Sequence, residues 1–458
     1  MTAFPLLTHG RAGDILGWSH GAPITAGRFL ADARQLAAAF PAGRHVLNAS
    51  ADRYRFAVGM AAALLTDRIS LLPPALTPEM VRQVKHFAPD VVCLTDQPQA
   101  IDLPQLAWGD AMAEAAVGAD VQAGDFHIPA IAASNTAAIV FTSGSTGLPV
   151  AHRKSWGALV RSVRAEAQRL GMLDGRRHSI VATVAPQHMY GFESTVLIAL
   201  QSAAALTASH PFYPADICAA LAQAARPNIL VTTPIHLKAL LASGLDIPRP
   251  DLVLSATAPM PPQLALAVEA RLGAPLLEIY GSTETGQIAS RRTTESPQWL
   301  LYPGVRLDAR DGGTWASGGH VEQPIALADE IEILDAERFL LHGRTADLVN
   351  VAGKRSSLGY LNHQLNAVPG VVDGAFFMPD DREGASGEVT RLMAFVVAPG
   401  LTRAALLAAL RERIDPIFLP RPAVLVEALP RNSNGKLPRE ALQALAREHE
   451  RKGAADAQ

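Results

Sequence analysis

At 458 residues the chain exceeds one ordinary domain and is long enough to bury a large core. Its 49% hydrophobic and 18% charged residues exclude a disordered polymer. A net charge of −3 removes any electrostatic case for nucleic acid or an anionic membrane as partner. Apolar residues at helical spacing predict an amphipathic helix over 25–40, with Asp32, Arg34 and Gln35 between them. Strands at 45–47, 69–72 and 91–94 then alternate with helices at 53–65 and 80–87, which argues for βαβ units and a parallel sheet.

A buried strand at 137–141 runs into Thr142-Ser143-Gly144-Ser145-Thr146-Gly147. Glycine tolerates the dihedrals of a concave nest of backbone N–H groups, and the hydroxyls add uncharged donors, so the loop suits nucleotide phosphates. Alone it also fits a plain Gly/Ser turn. It is not a Walker A loop: no Gly-Lys-Ser/Thr follows, and Val150 stands where a lysine would serve, which speaks against a P-loop NTPase.

Beyond it the pattern predicts a helix over 157–170, with Arg161, Arg164, Glu166 and Arg169 on its wet side, a strand over 179–184 and an apolar helix over 194–203. Strands at 229–232 and 252–255 are followed by proline-bearing loops, and in doubly wound sheets such loops line the ligand crevice. A strand over 275–280 enters a second small-residue loop, 281–286, with Tyr280 before it and Glu284 inside it. Glu284 suits Mg²⁺, and Tyr280 offers a flat face to a purine. Residues 302–341 read as a β-rich subdomain with Gly and Asp turns. Beyond 343 the pattern becomes α+β: strands at 348–351, 371–378 and 392–397, and helices at 358–368 and 402–414. The run Arg431-Asn432-Ser433-Asn434-Gly435-Lys436 sets a compact positive charge on a turn, suited to a developing anion.

Taken in order, these segments resemble the signatures of the adenylate-forming superfamily of acyl- and aryl-CoA ligases and non-ribosomal adenylation domains. Residues 141–149 are similar to its phosphate loop, and 279–286 to its Tyr-Gly-x-Thr-Glu signature. Asp329 and Gly343-Arg344 are similar to its ribose-gripping acid and Gly-Arg pair, separated by 343 − 329 = 14 positions. Asp347 and Gly353 fit the segment opening its small C-terminal domain, and Asn434-Gly435-Lys436 fits its catalytic-lysine motif.

The resemblance implies an α/β fold: a large N-terminal domain of doubly wound sheets with a β-rich subdomain (1–343), and a small, mobile α+β C-terminal domain (344–458). It implies ATP and Mg²⁺ as cofactors and a two-step reaction. A carboxylate attacks the α-phosphorus of ATP, giving an acyl-adenylate and pyrophosphate; a thiol then displaces AMP. By resemblance, Lys436 contacts the carboxylate and α-phosphate, and Thr142, Ser143, Gly144, Ser145, Thr146 and Gly147 hold the β- and γ-phosphates. Thr283 meets the α-phosphate, Glu284 the Mg²⁺, Tyr280 the adenine, and Asp329 and Arg344 the ribose. Ala256, Gly281 and Ser282 complete the nucleotide set.

His188, in Pro186-Gln187-His188-Met189-Tyr190-Gly191, aligns with the family's acid-pocket residue and is expected beside the reacting carboxylate. Tyr190, Gly191, Phe192 and Ser255 are expected to shape the acid pocket. This run, with Arg153-Lys154 and the stretch 353–358, resembles ligases of bacterial aryl-polyene and xanthomonadin-type pathways, which implies a hydroxybenzoate or hydroxycinnamate passed to an acyl carrier protein or CoA. A medium-chain fatty acid, or an adenylate-fold nucleotide-binding protein without turnover, are the alternatives. Val150 replaces the family's usual lysine, and Lys154 is the candidate substitute, although a helical residue there would face elsewhere. Ala346, Asn350 and the missing paired glutamates after Lys354 depart from the hinge and thiolation pattern.

Two cysteines, Cys93 and Cys218, lack zinc-ligand spacing, which suits a reducing cytoplasm. No signal peptide is expected, and apolar runs such as 56–65 are too short to span a bilayer. The expectation is a cytoplasmic monomer or homodimer without stable membrane insertion.

Overall fold

The computed structural model describes residues 2–74, 76–97, 99–112, 126–143, 149–310, 312–344, 348–351, 354–379, 392–414, 416–432 and 435–455. Gly144, Ser145, Thr146, Gly147, Ala346, Asp347, Gly353 and Asn434 lie outside these residues.

Two large sheets carry the N-terminal part. The first has six strands, in the order Pro149–Ser155, Thr136–Ser143, Ile69–Leu72, His45–Asn48, Val92–Thr95 and Gln105–Ala107. All pair in parallel except the first two, which form an antiparallel hairpin around the phosphate-loop segment, with Val150 opposite Thr142. The second sheet has eleven strands. Its middle is parallel: Leu276–Ser282, Leu252–Ser255, Asn228–Thr232, Ser179–Ala182 and Ala205–Thr207. The continuous apolar strands predicted from sequence are buried on both faces, as parallel strands between helical layers must be. The helix Arg53–Leu65 is buried along nearly its whole length and packs with Ala26–Ala39 in the main core.

Several elements correct the sequence reading. The prolines at 214, 234 and 262, two of them read as loop marks, open the helices Pro214–Gln223, Pro234–Ala242 and Pro262–Leu272. Proline at the first helical position lacks an N–H that the helix could not use there. The helix expected over 194–203 begins earlier: α-helical Met189–Gly191 passes into π-helical Phe192–Leu197 and back to α-helical Ile198–Gln201. π-Turns of this kind gather at functional sites. Lys154 belongs to the strand Pro149–Ser155 and not to the helix, which starts at Trp156. Glu166 is not on a wet face; it is 0% exposed.

The β-rich region forms a three-stranded sheet, Val305–Arg310, Gly313–Gly318 and Val321–Ala326. The strands Asp329–Ile333 and Arg338–Arg344 instead close the edge of the large second sheet. From 349 onward the chain builds a separate core around Leu361, Leu365, Phe376, Val396 and Leu406. The strands Asp373–Phe377, Met393–Val397 and Ala423–Leu425 form its sheet, flanked by Leu358–Asn366, Arg403–Arg411 and Arg439–Ala455. No helix among the described residues is long and apolar enough to cross a membrane.

Candidate active site

The parallel strands of the second sheet end on a common edge, and the segments 183–188, 233–236, 255–257 and 281–284 all leave from it. This is where an open α/β sheet opens its ligand crevice.

On one flank Tyr280, near the end of the strand Leu276–Ser282, points its hydroxyl at Asp329, donating to Oδ2 at 2.7 Å. Asp329 sits directly opposite Arg344 in the antiparallel register. Tyr280 and Asp329 therefore meet although 49 positions separate them, and Arg344 lies beside Asp329 in the strand pair. The Tyr280 ring packs against Trp299 and Phe339, each with centroids 5.6 Å away.

The loop after Tyr280 is braced from within. Ser282 and Thr285 exchange hydrogen bonds, and Gly286 adopts φ of 73°. A Cβ there would sit 3.1 Å from Glu193 Oε1, so glycine serves both the left-handed backbone and the close approach. Glu284 is thereby presented with its side chain roughly half-exposed. Its carboxylate lies 3.5 Å from His152 Nε2, and that nitrogen is 2.9 Å from Thr142 Oγ1. Among the described residues no three His, Cys, Asp or Glu side chains converge as a metal cage. One available hard-oxygen carboxylate fits Mg²⁺, which commonly completes its shell with phosphate and water.

At the strand ends nearer the second core, His188 precedes the helical run and is partly buried. Burial, and then the Lys436 ammonium, lower its pKa below the usual value. The Lys436 charge thus acts on His188 across 436 − 188 = 248 positions. The lysine's own turn is seated on the N-terminal part: a Cβ on Gly435 would lie 3.4 Å from Ile235 Cβ. Lys238 Nζ also donates to the Val372 carbonyl at 3.2 Å. Lys436 is exposed, and its N–H is held by Asn432 Oδ1 at 2.9 Å.

The expected pocket residues divide. Tyr190 donates its hydroxyl to the Leu254 carbonyl at 2.9 Å, tying the π-turned helix to the sheet edge. Gly191 allows that helix to pass Ala185, whose carbonyl oxygen would be 2.0 Å from an added Cβ. Ser255 is buried, and its hydroxyl has no hydrogen-bond partner among the described residues. Ala256 is buried beside it. Phe192 corrects the expectation: it is 0% exposed and meets Phe56 edge-on, so its ring belongs to the core and not to an open pocket wall.

Two features escaped the sequence reading, and the surroundings of a third, Lys154, differ from it. Arg53 is wholly buried with no ion pair among the described residues; it donates to the carbonyls of Ala182, Val184, Thr207 and Ser209 and to Thr195 Oγ1. It thereby fixes the chain where it leaves the strands Ser179–Ala182 and Ala205–Thr207. Thr257, on the segment after Ser255, adopts φ of 77°. A β-branched residue there stores roughly 1–3 kcal/mol, the kind of strain that clusters at ligand sites. Lys154 is buried, and its Nζ donates to the Glu284 carbonyl at 2.8 Å.

Comparison with known proteins agrees with this geometry. The AMP-binding enzyme family model matches residues 15–361, and the model of the AMP-binding enzyme C-terminal domain matches 362–436. A 4-coumarate–CoA ligase of Rhodobacter capsulatus is 32% identical over 319 residues, 68% of this chain and 77% of that protein. A 4-coumarate–CoA ligase of Halorhodospira halophila is 28% identical, covering 67% and 76% of the two chains. In fold the chain is similar to ATP-bound MatB from Rhodopseudomonas palustris, with TM-score 0.80, 19% identity and coverage of 96% and 97%. It is also similar to o-succinylbenzoate CoA synthetase MenE from Bacillus subtilis in complex with its acyl-adenylate, with TM-score 0.79, 17% identity and coverage of 97% and 99%. The chain belongs to the AMP-binding enzyme family of AMP-forming ligases.

Proposed function

We propose that this protein activates an aromatic carboxylic acid with ATP and passes the acyl group to a phosphopantetheine thiol. In the first step a carboxylate oxygen bonds to the α-phosphorus while the bond to the bridging oxygen breaks, and pyrophosphate leaves with that electron pair. In the second a thiolate bonds to the acyl carbon and AMP departs. Two anions must meet in the first step, so charge neutralisation and alignment are the main tasks of the site.

The observation that carries the reading is the seating of the Lys436 turn on Ile235 at the strand-end crevice, where the lysine's charge bears on His188, while Tyr280, Asp329 and Arg344 gather on the same sheet. In this reading Lys436 neutralises the acid and the α-phosphate, and His188 lines the acid's path. Thr283 faces the α-phosphate; Asp329 and Arg344 hold the ribose and Tyr280 the base. Glu284 would hold Mg²⁺, which supplies charge neutralisation at the phosphates. Thr142 to Gly147 would cradle the outer phosphates. The C-terminal part, taken from 344 onward, then swings Lys436 away so that the thiol can enter.

An aromatic acid is supported by relatives named for coumarate, 4-chlorobenzoate and hydroxybenzoate. We infer a hydroxybenzoate or hydroxycinnamate, and an acyl carrier protein or CoA as acceptor, on an aryl-polyene type of route. A pyrophosphate-release screen over benzoic, cinnamic and medium-chain fatty acids tests this. Release with hydroxylated aromatic acids is expected. Release only with fatty acids overturns the substrate, and no release with any acid overturns the activity. Adding CoA or a phosphopantetheinylated carrier protein then separates the acceptors by which one becomes acylated.

A further inference from the structure

The strand Pro149–Ser155 presents Val150, His152 and Lys154 on one face, because side chains alternate along a strand. Val150, at the outer end, is 48% exposed and carries no charge. The next two positions inward both reach Glu284. His152 Nε2 lies 3.5 Å from its carboxylate, and Lys154 Nζ donates to its backbone carbonyl at 2.8 Å. One strand therefore reaches Glu284 at two points, through a hydrogen bond to its main chain and through the close approach of His152, an imidazole whose pKa burial lowers, to its side chain.

Lys154 is 8% exposed, in surroundings where an uncharged side chain would pack at lower cost. Its ammonium is compensated by design of the neighbourhood. Burial lowers its pKa, while Glu193, Glu284 and Glu322 act in the opposite sense. Glu193 is itself buried, accepts from Ser162 Oγ at 2.9 Å, and backs Gly286 at the far end of the same loop. Glu322 is held from the other side by Ser155 and Arg161, each at 2.9 Å. An ammonium committed to a carbonyl and enclosed this way is not free to follow phosphates.

We propose that Lys154 is a positioning residue for the nucleotide's metal: with His152 it locks the Glu284 loop onto the phosphate-loop hairpin, so that the Glu284 carboxylate meets Mg²⁺ already oriented. The arrangement answers the loss of a cation at Val150 by a different route. It improves the metal's carboxylate and adds no direct contact to phosphate. The inference rests on the ATP-binding reading above and deepens it.

The test is binding, not turnover. ATP affinity is measured by calorimetry at a series of Mg²⁺ concentrations for the wild type and Lys154→Met, with AMP in the absence of metal as the control. The Mg²⁺ concentration for half-maximal ATP binding is expected to rise about tenfold in Lys154→Met, the effect of one lost charge-assisted hydrogen bond, with AMP affinity within about twofold of wild type. An unchanged Mg²⁺ requirement overturns the inference, and so does an equal loss of ATP and AMP affinity, which would mark general damage. If Lys154→Met does not fold, His152→Gln carries the test: it is expected to raise the Mg²⁺ requirement by about threefold, consistent with one weaker contact, and no rise overturns the inference. A wild type that binds AMP but never ATP sinks the functional reading and this inference together; a wild type with Mg²⁺-dependent ATP binding and an unshifted variant sinks the inference alone.

Discussion

Lys154 and Lys436 carry positive charge in two regions built on opposite principles. Lys154 lies within a strand of the first sheet, buried, its ammonium fixed on a carbonyl at 2.8 Å and ringed by Glu193, Glu284 and Glu322. Lys436 rides an exposed turn of the second core, held through its backbone, and its charge is felt by His188. A buried, fully committed cation shapes the ground state. An exposed one on a separate core can be delivered for one step and withdrawn for the next.

The difference should appear in kinetics. Replacing Lys436 by Ala is expected to slow acyl-adenylate formation by about three orders of magnitude or more, while ATP affinity changes by less than about threefold, because its contact strengthens mainly in the transition state. Stopped-flow pyrophosphate release and equilibrium ATP binding measure the two quantities. An unchanged adenylation rate would remove Lys436 from the mechanism. Glu284→Gln is expected to cost about a hundredfold in kcat/KM at limiting Mg²⁺, since a neutral amide oxygen is a weaker partner for a hard cation. Equal activity of variant and wild type at every Mg²⁺ concentration would refute the assignment of Glu284. Lys154→Met should show the opposite signature to Lys436→Ala, with the loss in binding and not in the chemical step.

The smallest effect concerns the buried carboxyls behind Lys154. Burial raises Glu166 from 4.5 to about 8 and Glu193 to about 7. Between the unfolded and folded values the native chain binds the extra proton, so stability falls as pH rises. His9 and His320, lowered to about 4 by burial, act oppositely below their unfolded value of 6.5. Above that value they are neutral in both states, leaving roughly pH 6.5–8 as the window in which the carboxyls dominate. The melting temperature should decline across that window, and Glu166→Gln should flatten the decline. An identical slope in the variant would show that Glu166 does not carry the proton.

Much of the nucleotide flank was legible in the sequence because its parts are local patterns: a strand ending in Tyr280, a glycine-hydroxyl loop around Glu284, and Asp329 at a fixed interval before Gly343-Arg344. The structure brings Tyr280, Asp329 and Arg344 together as that pattern implied. What escaped was set by tertiary packing. Polar Arg153 and Lys154 hide the strand Pro149–Ser155, whose hairpin partner supplies its ladder. Glu166 and Arg53 look like surface residues, since ionisable groups are rarely buried whole; Ser194 and Gln287 beside the carboxyl, and the acceptors around the guanidinium, make their burial tolerable. Phe192 reads as pocket lining because it adjoins His188, yet a π-turn rotates it into the core.

In the proposed cycle a separate core docks Lys436 for the first step and releases it for the second. An added Cβ at Gly435 would be 3.4 Å from Ile235 Cβ, close to the spacing a disulfide spans. The measurement is pyrophosphate release and thioester formation by the Ile235→Cys, Gly435→Cys variant, oxidised and then reduced. The oxidised protein is expected to release pyrophosphate with its acid in a single turnover and to form no thioester, and reduction should restore thioester formation. Thioester formation at the same rate in the oxidised and reduced states would contradict the account.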